Sequence, residues 1–338
     1  MNHGFVKVCA ATPSIRVADI SYNEESILAS LTECISKGAR LAVFPELCLT
    51  GYTCGDLFNQ QALISKVQDA IADIAEKTKE SDILFFIGAP VEHQNRLYNC
   101  AVALCRGRIL GLVPKTSLPN YGEFYERRHF TPGRPCMGMA RIAGQTAPIG
   151  TDLLFEADNF PGFTAAAEIC EDLWAPVSPS TAAALRGATI IVNLSCSDEL
   201  VGKADYRRNL VRMQSGKLVC AYVYADAGDG ESTTDMAFAG HNIISENGAI
   251  LAESELFRNG IICSDIDVEM LLNERRRMAG VYYPEGPCGP MPGPGGPHGP
   301  MPGPHGPHDG PGGPHDGPGG PHGPGPDGPH CGGPRPDG

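Results

Sequence analysis

Apolar residues recur along the first 280 positions in two rhythms, and the order in which they alternate outlines an architecture. Phe5 to Ala11 alternates at every second residue, the pattern of a strand with one face buried. Ser21 to Gly38 carries Ile27, Leu31 and Ile35 at four-residue spacing and ends on glycine, so it predicts an amphipathic helix. Arg40 to Pro45 is a short apolar strand stopped by proline, with Glu46 directly after the stop. A second helix is expected over Asp56 to Lys79, where Leu63, Val67, Ala70, Ile71 and Ile74 share one face. Asp82 to Gly88 reads as an apolar strand, and Tyr98 to Cys105 and Arg108 to Val113 as two strands joined by a tight Arg106-Gly107 turn.

Beyond a proline-punctuated loop from Gly111 to Glu126, strands are expected at Asp152 to Phe155, Phe163 to Cys170, Thr189 to Leu194 and Val219 to Tyr224. Helices over Ser178 to Gly187 and Lys203 to Lys217 separate them. Ala237 to Ile244 and Ala249 to Ala252 predict a hairpin closed at Glu246-Asn247-Gly248, and Glu269 to Met278 a last short helix. Strands and helices that alternate in this way predict a layered α/β domain, residues 1–283. No G-x-G-x-x-G follows a strand and no G-x-x-x-x-G-K-[ST] occurs, so neither a dinucleotide fold nor a phosphate loop is expected.

Composition changes the picture only at the end. Residues 284–338 hold 19 Pro, 20 Gly and six His among 55 positions, with almost nothing apolar, and cannot build a core. Glycine recurs at every third position in short runs and then slips at Pro292, Pro302, Asp309 and Asp316, which excludes a continuous collagen helix. A polyproline II-like tail is expected instead, and an extended tail without a core needs another surface to lean on. The expectation is an assembly element that ties copies of the chain into a homo-oligomer or filament. Six tail histidines, His298, His305, His308, His315, His322 and His330, are the only candidate metal ligands, and they would bind zinc, copper or nickel adventitiously. No metal or organic cofactor is expected to take part in the chemistry.

The net charge of −13 becomes −9 without the tail, from 25 basic and 34 acidic residues. With no basic stripe, nucleic acid and anionic membranes are not expected partners. Thirteen cysteines are scattered, mostly inside apolar runs, without the spacing of a disulfide framework or a zinc site. Reduced thiols in a cytoplasmic compartment are expected, and Met1 to Cys9 has the pattern of neither a signal peptide nor an anchor.

Three residues stand just past the ends of apolar strands, where open α/β sheets gather reactive groups: Glu46, Lys115 and Cys170. A thiol is a weak nucleophile until a base takes its proton, and a developing oxyanion needs a fixed positive donor. Glu46 suits the base, Lys115 the cation and Cys170 the nucleophile. A carboxylate beside a thiol raises the thiol's pKa, so the lysine is also expected to favour the thiolate.

The contexts Phe44-Pro-Glu46-Leu-Cys-Leu-Thr-Gly-Tyr52, Val-Pro-Lys115-Thr and Cys170-Glu-Asp-Leu-Trp174, in that order, resemble the nitrilase superfamily of carbon-nitrogen hydrolases. The resemblance spans about Phe5 to Asp267 and, with Leu118-Pro-Asn-Tyr121, Phe124-Tyr-Glu126 and Asn193 to Ser197 before Lys203, points to the glutaminase domains of glutamine-dependent NAD synthetases. It implies a four-layer αββα sandwich and amide hydrolysis through a cysteine thioester. It also implies that Glu126 is a second glutamate supporting the lysine and base, and that Tyr52, Tyr121, Glu171, Trp174, Ser197 and Lys203 surround a glutamine substrate. The synthetase domain that consumes ammonia in that family has no counterpart here, where the Gly/Pro/His tail follows instead. This chain is therefore not expected to make NAD by itself, and a separate ammonia acceptor or a purely structural, filament-forming role for the fold is the alternative.

Overall fold

In the computed structural model of this chain, residues 4–134 and 136–278 are described. All of them belong to one compact unit bounded at Glu285. Residues 284–338, with the tail histidines, Cys288 and Cys331, lie outside the described residues, as do the expectations of polyproline II structure, metal binding and assembly attached to them.

The first half of the chain alternates as its pattern predicts: β1 (Phe5–Thr12), α1 (Ile20–Ser36), β2 (Leu41–Val43), α2 (Gln61–Lys77), β3 (Leu84–His93), β4 (Arg96–Cys105) and β5 (Arg108–Pro114). A hairpin of β6 (Met137–Ile142) and β7 (Gln145–Gly150) follows, then β8 (Phe155–Glu156), β9 (Thr164–Ile169), α3 (Glu171–Trp174) and α4 (Pro179–Leu185). The remainder is β10 (Ile190–Ser195), α5 (Lys203–Leu218), β11 (Ala221–Asp226), β12 (Ile243–Glu246), β13 (Ala249–Glu253), β14 (Gly260–Asp267) and α6 (Val268–Arg277).

The strands form two sheets, one of eight in the order β14-β1-β2-β3-β4-β5-β7-β6 and one of six in the order β13-β12-β11-β10-β9-β8. Three apolar layers account for their stacking. Ile27, Leu31, Val67, Ile71 and Ile74 of α1 and α2 pack on one face of the larger sheet with Phe85 and Ile87. Its other face meets the smaller sheet through Val8, Leu41, Val43 and Phe86 against Ala165, Ile190, Val192 and Val223. The far side of the smaller sheet is covered by Ala184, Val211 and Leu218 of α4 and α5, over Ile191 and Tyr222. The fold is thus a helix–sheet–sheet–helix sandwich, and the two sheets are nearly continuous apolar runs because each is covered on both faces.

Several expectations need correction. The helix expected from Asp56 begins as a 3-10 segment, Tyr52–Asn59, kinked where Thr53 and Gly55 leave helical torsions, and the extended Gln60 separates it from α2. The strand expected at Ala237 to Ile244 starts only at Ile243, and β6, β7 and β14 had no place in the sequence reading. β14 pairs with β1 in antiparallel register and sets Cys263 opposite Cys9, where a disulfide joins residues 254 apart in sequence. Reduced thiols throughout were expected. That expectation fails at this pair because spacing along the chain carries no information about partners brought together by sheet register. Cys34, Cys48, Cys54, Cys100, Cys105, Cys136, Cys170, Cys196 and Cys220 are free. No helix among the described residues is long and apolar enough to cross a membrane.

One glycine positions the chemistry. The loop after β2 turns back over β3, with Leu47 at φ 50° and Leu49 N–H bonded to Gly88 O. A Cβ on Gly88 would sit 2.1 Å from Leu47 N and 2.5 Å from Pro45 O, so only glycine permits this approach. Replacement Gly88→Ala is expected to cost about 1–3 kcal/mol, the usual range for overpacking a tight core, read as a lower urea midpoint with an unchanged m-value.

Candidate active site

Glu46 follows β2, on the loop that Gly88 admits, and its backbone N–H reaches Ser195 O of β10 at 3.3 Å. Lys115 follows β5, and its backbone N–H is held by Asn99 O at 2.8 Å. Glu126 comes back to the same point from the long loop, opening a short 3-10 turn, Glu126–Arg128. The three side chains meet out of contact with water. Lys115 Nζ donates to Glu46 Oε1 and to Glu126 Oε1, both at 2.6 Å, and the lysine and Glu46 side chains have no exposed surface. Asn99 Nδ2 donates to Glu46 Oε1 at 2.6 Å and the Cys196 backbone N–H to Glu46 Oε2 at 3.1 Å, so both oxygens of that carboxylate are held. Tyr52 Oη donates to Glu126 Oε1 at 2.8 Å, and Glu126 Oε2 has no partner among the described residues.

Cys170 arrives from the other sheet. It lies between β9 and the four-residue helix α3 at φ 42° and ψ −99°, a conformation that side chains other than glycine rarely adopt. Strain of this kind persists only where surrounding bonds impose it. Here the Cys170 N–H donates to Leu194 O and to Asn193 Oδ1, each at 3.0 Å. The fully buried Asp172 carboxylate grips the other side of the bend, accepting from Ile169 N at 3.1 Å, from Ser117 N at 2.7 Å and from the Thr116 backbone and hydroxyl. Asp172 thereby ties the cysteine turn to the segment that follows Lys115.

Electrostatics join the two halves. Burial pushes the Cys170 thiol well above its ordinary range and the Glu46 charge adds to that, while Lys115 pulls the other way and is outweighed. The lysine expected to favour the thiolate therefore does not prevail in the resting site. Burial also raises Glu46 to about 8, against the pull of Lys115 and with a push from Glu126. Burial alone would lower Lys115, but the charges of Glu126 and Glu46 hold it well above its usual range. The resting site is thus a charged lysine, a neutral thiol and a carboxyl whose proton is near the balance point at neutral pH.

The six residues expected around a substrate are divided. Tyr52 is bonded to Glu126 and lines a cavity with it and with Phe124. Tyr121, 59% exposed, donates its hydroxyl to Glu171 Oε1 at 2.9 Å and meets Phe124 edge to face. Lys203 Nζ lies 5.4 Å from the Trp174 ring centre and 6.0 Å from that of Phe124, and bonds Asp198. Trp174 also stacks with Tyr206, ring centres 5.2 Å apart at 11°. Ser197 sits deeper, its backbone N–H on Asp226 Oδ1 at 2.8 Å and its hydroxyl accepting from the buried Arg207 at 3.3 Å. Tyr121, Glu171, Trp174 and Lys203, with Asp198 on the lysine, therefore form a rim of two carboxylates and one ammonium.

Sequence reasoning left out Asn99, Asp172 and Glu231, and gave Asn193 no role of its own. Glu231, nearly fully buried, accepts from Tyr52 N at 2.7 Å and from Thr53 N and Oγ1, fixing the loop that carries Tyr52. Only Asp172 had a local signal, its place two residues after the cysteine. Among the described residues no group of three or more His, Cys, Asp or Glu is arranged to hold a metal ion.

Comparison with known proteins places this geometry. The profile of the family described as carbon-nitrogen hydrolase matches residues 7–275. The glutamine-dependent NAD(+) synthetase of Mycobacterium bovis is 48% identical over 278 residues, covering 82% of this chain and 41% of the synthetase. The human glutamine-dependent NAD(+) synthetase is 32% identical over 263 residues, 74% of this chain and 36% of its own. This chain therefore spans about two fifths of the length of the curated relatives it matches. A crystal structure of the corresponding Cytophaga hutchinsonii synthetase superposes with a TM-score of 0.67 at 27% identity, over 78% of this chain and 43% of that one. An amidase from Nesterenkonia superposes at 0.63 and 17% identity over 82% of this chain and 96% of its own, a likeness of fold.

A carboxyl held at about 8 when folded and near 4.5 when exposed binds a proton more tightly in the native state. Its contribution to stability is present below pH 4.5 and is lost as pH rises through 8. Urea unfolding from pH 5 to 8 is expected to show falling stability, and Glu46→Gln, which cannot ionise, is expected to flatten that fall.

Proposed function

Because the chain belongs to the carbon-nitrogen hydrolase family, we propose that it is an amidohydrolase that cleaves the side-chain carboxamide of glutamine through a thioester on Cys170. The observation that carries the reading is the buried Lys115, gripped by Glu46 and Glu126 and electrostatically coupled to a cysteine at a strained strand end. Cys170 Sγ attacks the amide carbon while its proton passes to Glu46, and the C=O electrons become an oxyanion that receives a hydrogen bond from Lys115 Nζ. Collapse expels ammonia, to which Glu46 returns the proton. Water then enters, gives a proton to Glu46 and adds to the thioester carbon, and the thiol leaves with that proton. The sum is glutamine and water to glutamate and ammonia.

Glutamine is favoured over a simple amide by the rim. A free amino acid presents an α-ammonium and an α-carboxylate, and Glu171 and Lys203 offer one charge of each sign beside Trp174 and Tyr121. The Lys203–Asp198 pair means that a substrate carboxylate must share the lysine. Relatives that bear the name glutamine-dependent NAD(+) synthetase support the same substrate. The tail, residues 284–338, remains a proposed assembly element on the strength of its composition, and loss of residues 284–338 is expected to reduce particle size in light scattering.

Ammonia release from glutamine, asparagine and a small aliphatic amide tests the reading. Glutamine is expected to be the best substrate, and Cys170→Ala to lower its turnover by at least about 10³-fold, as removal of a covalent nucleophile does. Equal inertness of wild type and Cys170→Ala on all three amides ends the enzyme reading and leaves the filament-forming one. Since Glu46 must be unprotonated to act, kcat/KM is expected to rise with pH along an acid limb near 8. A limb near pH 4.5 overturns the raised pKa of Glu46, and a Glu46→Gln variant that keeps wild-type turnover excludes Glu46 as the base.

A further inference from the structure

The outer face of the smaller sheet, otherwise packed with apolar side chains against α4 and α5, contains a line of polar groups that the reaction above does not use. Glu168 on β9, Asn193 on β10 and Tyr222 on β11 are all buried, the first at 1% exposure and the others at none. Glu168 and Asn193 are directly paired across the β9–β10 ladder. Glu168 Oε2 accepts from Ser180 N at 2.8 Å, and Oε1 accepts from the Tyr222 hydroxyl. Tyr222 Oη in turn accepts from Asn193 Nδ2 at 2.9 Å, and Asn193 Oδ1 accepts from the backbone N–H of Cys170 at 3.0 Å. We propose that Glu168, Tyr222 and Asn193 are positioning residues, a chain of one-directional hydrogen bonds that presents an oxygen to the Cys170 N–H and so holds the cysteine turn in its strained conformation. The proposal rests on the reading of Cys170 as the nucleophile.

Direction is the substance of the argument. An asparagine amide has an acceptor at one end and a donor at the other, and the two orientations have nearly the same shape. A backbone N–H can only donate, so Asn193 must turn its oxygen toward Cys170 and its NH₂ toward Tyr222. That requires the tyrosine oxygen to be an acceptor, which leaves its proton to be given away on the other side. An ionised carboxylate is the one side chain that can only accept, and Glu168 stands there. Asp172 and Tyr222 bear on it, and Cys220 feels both its charge and that of Arg275. A buried carboxylate is costly, and burial raises Glu168 to about 7 despite the Tyr222 bond. Packing alone would be served by an apolar residue in this layer, so a polar line ending on the nucleophile's backbone calls for a reason of position.

The logic predicts a specific rescue. In Glu168→Gln the new amide satisfies Ser180 N with its oxygen and gives its NH₂ to Tyr222, whose proton must then point at Asn193. Asn193 flips to accept it and sets NH₂ against the Cys170 N–H. In Asn193→Asp, two carboxylates compete for one hydroxyl proton. The double variant Glu168→Gln/Asn193→Asp reverses both bonds of the Tyr222 hydroxyl, leaves the backbone N–H of Ser180 and of Cys170 donating as before, and so restores an oxygen at Cys170 N.

The test is the rate at which Cys170 displaces iodide from iodoacetamide at pH 8, measured by peptide mass spectrometry with Cys170→Ala as the control. Each single variant is expected to react about 10- to 100-fold more slowly than wild type, and the double variant to return to within about threefold. Wild-type rates in the single variants, or a double-variant loss equal to the product of the two single losses, would overturn the proposal. If Glu168→Gln does not melt cooperatively, Tyr222→Phe, which removes only the hydroxyl, is expected to show the same slowing, and an unchanged rate there overturns it equally. Glutamine hydrolysis, run in parallel, is expected to show the loss in kcat with KM little changed. Should the alkylation pattern hold while wild type releases no ammonia from glutamine, the positioning chain stands and the proposed substrate falls.

Discussion

A single buried ammonium organises this molecule. Lys115 has no exposed side-chain surface and is held by two carboxylates that come from separate parts of the chain. Removing the lysine would leave two carboxylates facing each other in a dry interior, where truncating one member of a buried ion pair typically costs about 3–5 kcal/mol. The surrounding backbone is arranged to keep all three together. Gly88 lets the Glu46 loop approach, Asn99 holds the Glu46 side chain and the Lys115 backbone at once, and Glu231 anchors the loop of Tyr52, which reaches Glu126. Four segments distant in sequence thus depend on one charge. The cost of burying it is the reason that the neighbouring loops carry so many side-chain bonds to backbone.

The second constraint is mechanical. β9 ends in a turn with φ 42° at a residue that has a side chain, and the reactive sulfur is there because the turn is there. Its restraints come from both sides: Asn193 and Leu194 from the sheet, Asp172 from the segment after Lys115. Asp172 is the physical link between the turn and the lysine, so the distance between nucleophile and cation is governed by a carboxylate that takes no part in the chemistry. The two sheets could slide by a fraction of an ångström without breaking the apolar layer between them. They could not do so without breaking these bonds.

How far the sequence alone carries can be judged residue by residue. Apolar periodicity located the helices and most strands because each must bury one stripe or two faces. Glu46, Lys115 and Cys170 were legible because each follows an apolar run and because their flanking residues match a known family. β6 and β7 were not, since Met137, Met139 and Arg141 are mostly exposed edge residues with weak alternation. β14 was missed because only Ile266 and its neighbours touch the core, while its pairing with β1 depends on contacts more than 250 residues apart. Asp172 and Glu231 bond backbone groups, and Asn99 a carboxylate, that are brought to them only by folding, and apart from the closeness of Asp172 to the cysteine nothing in their local sequence announces a partner. The resemblance places Tyr52 beside the substrate, and folding adds a bond from its hydroxyl to Glu126 that position in a motif could not announce.

The electrostatics of the resting site also constrain how the sulfur can react. In a cysteine–imidazole pair the thiolate forms before substrate arrives, because a positive partner stabilises it at short range. Here the nearest base is a carboxyl, its charge repels a thiolate, and burial penalises any new anion, so the thiol stays protonated despite Lys115. A free thiolate is therefore not a resting state of this site. In the reaction we propose, proton transfer to Glu46 therefore accompanies attack, as negative charge moves off the sulfur and onto the substrate oxygen. The same proposal gives two glutamates a purpose. Glu126 would keep Lys115 paired while Glu46 is protonated, so the cation would not lose its counter-charge when the base accepts its proton. One carboxylate would move the proton, and the other would keep the lysine able to hold the oxyanion.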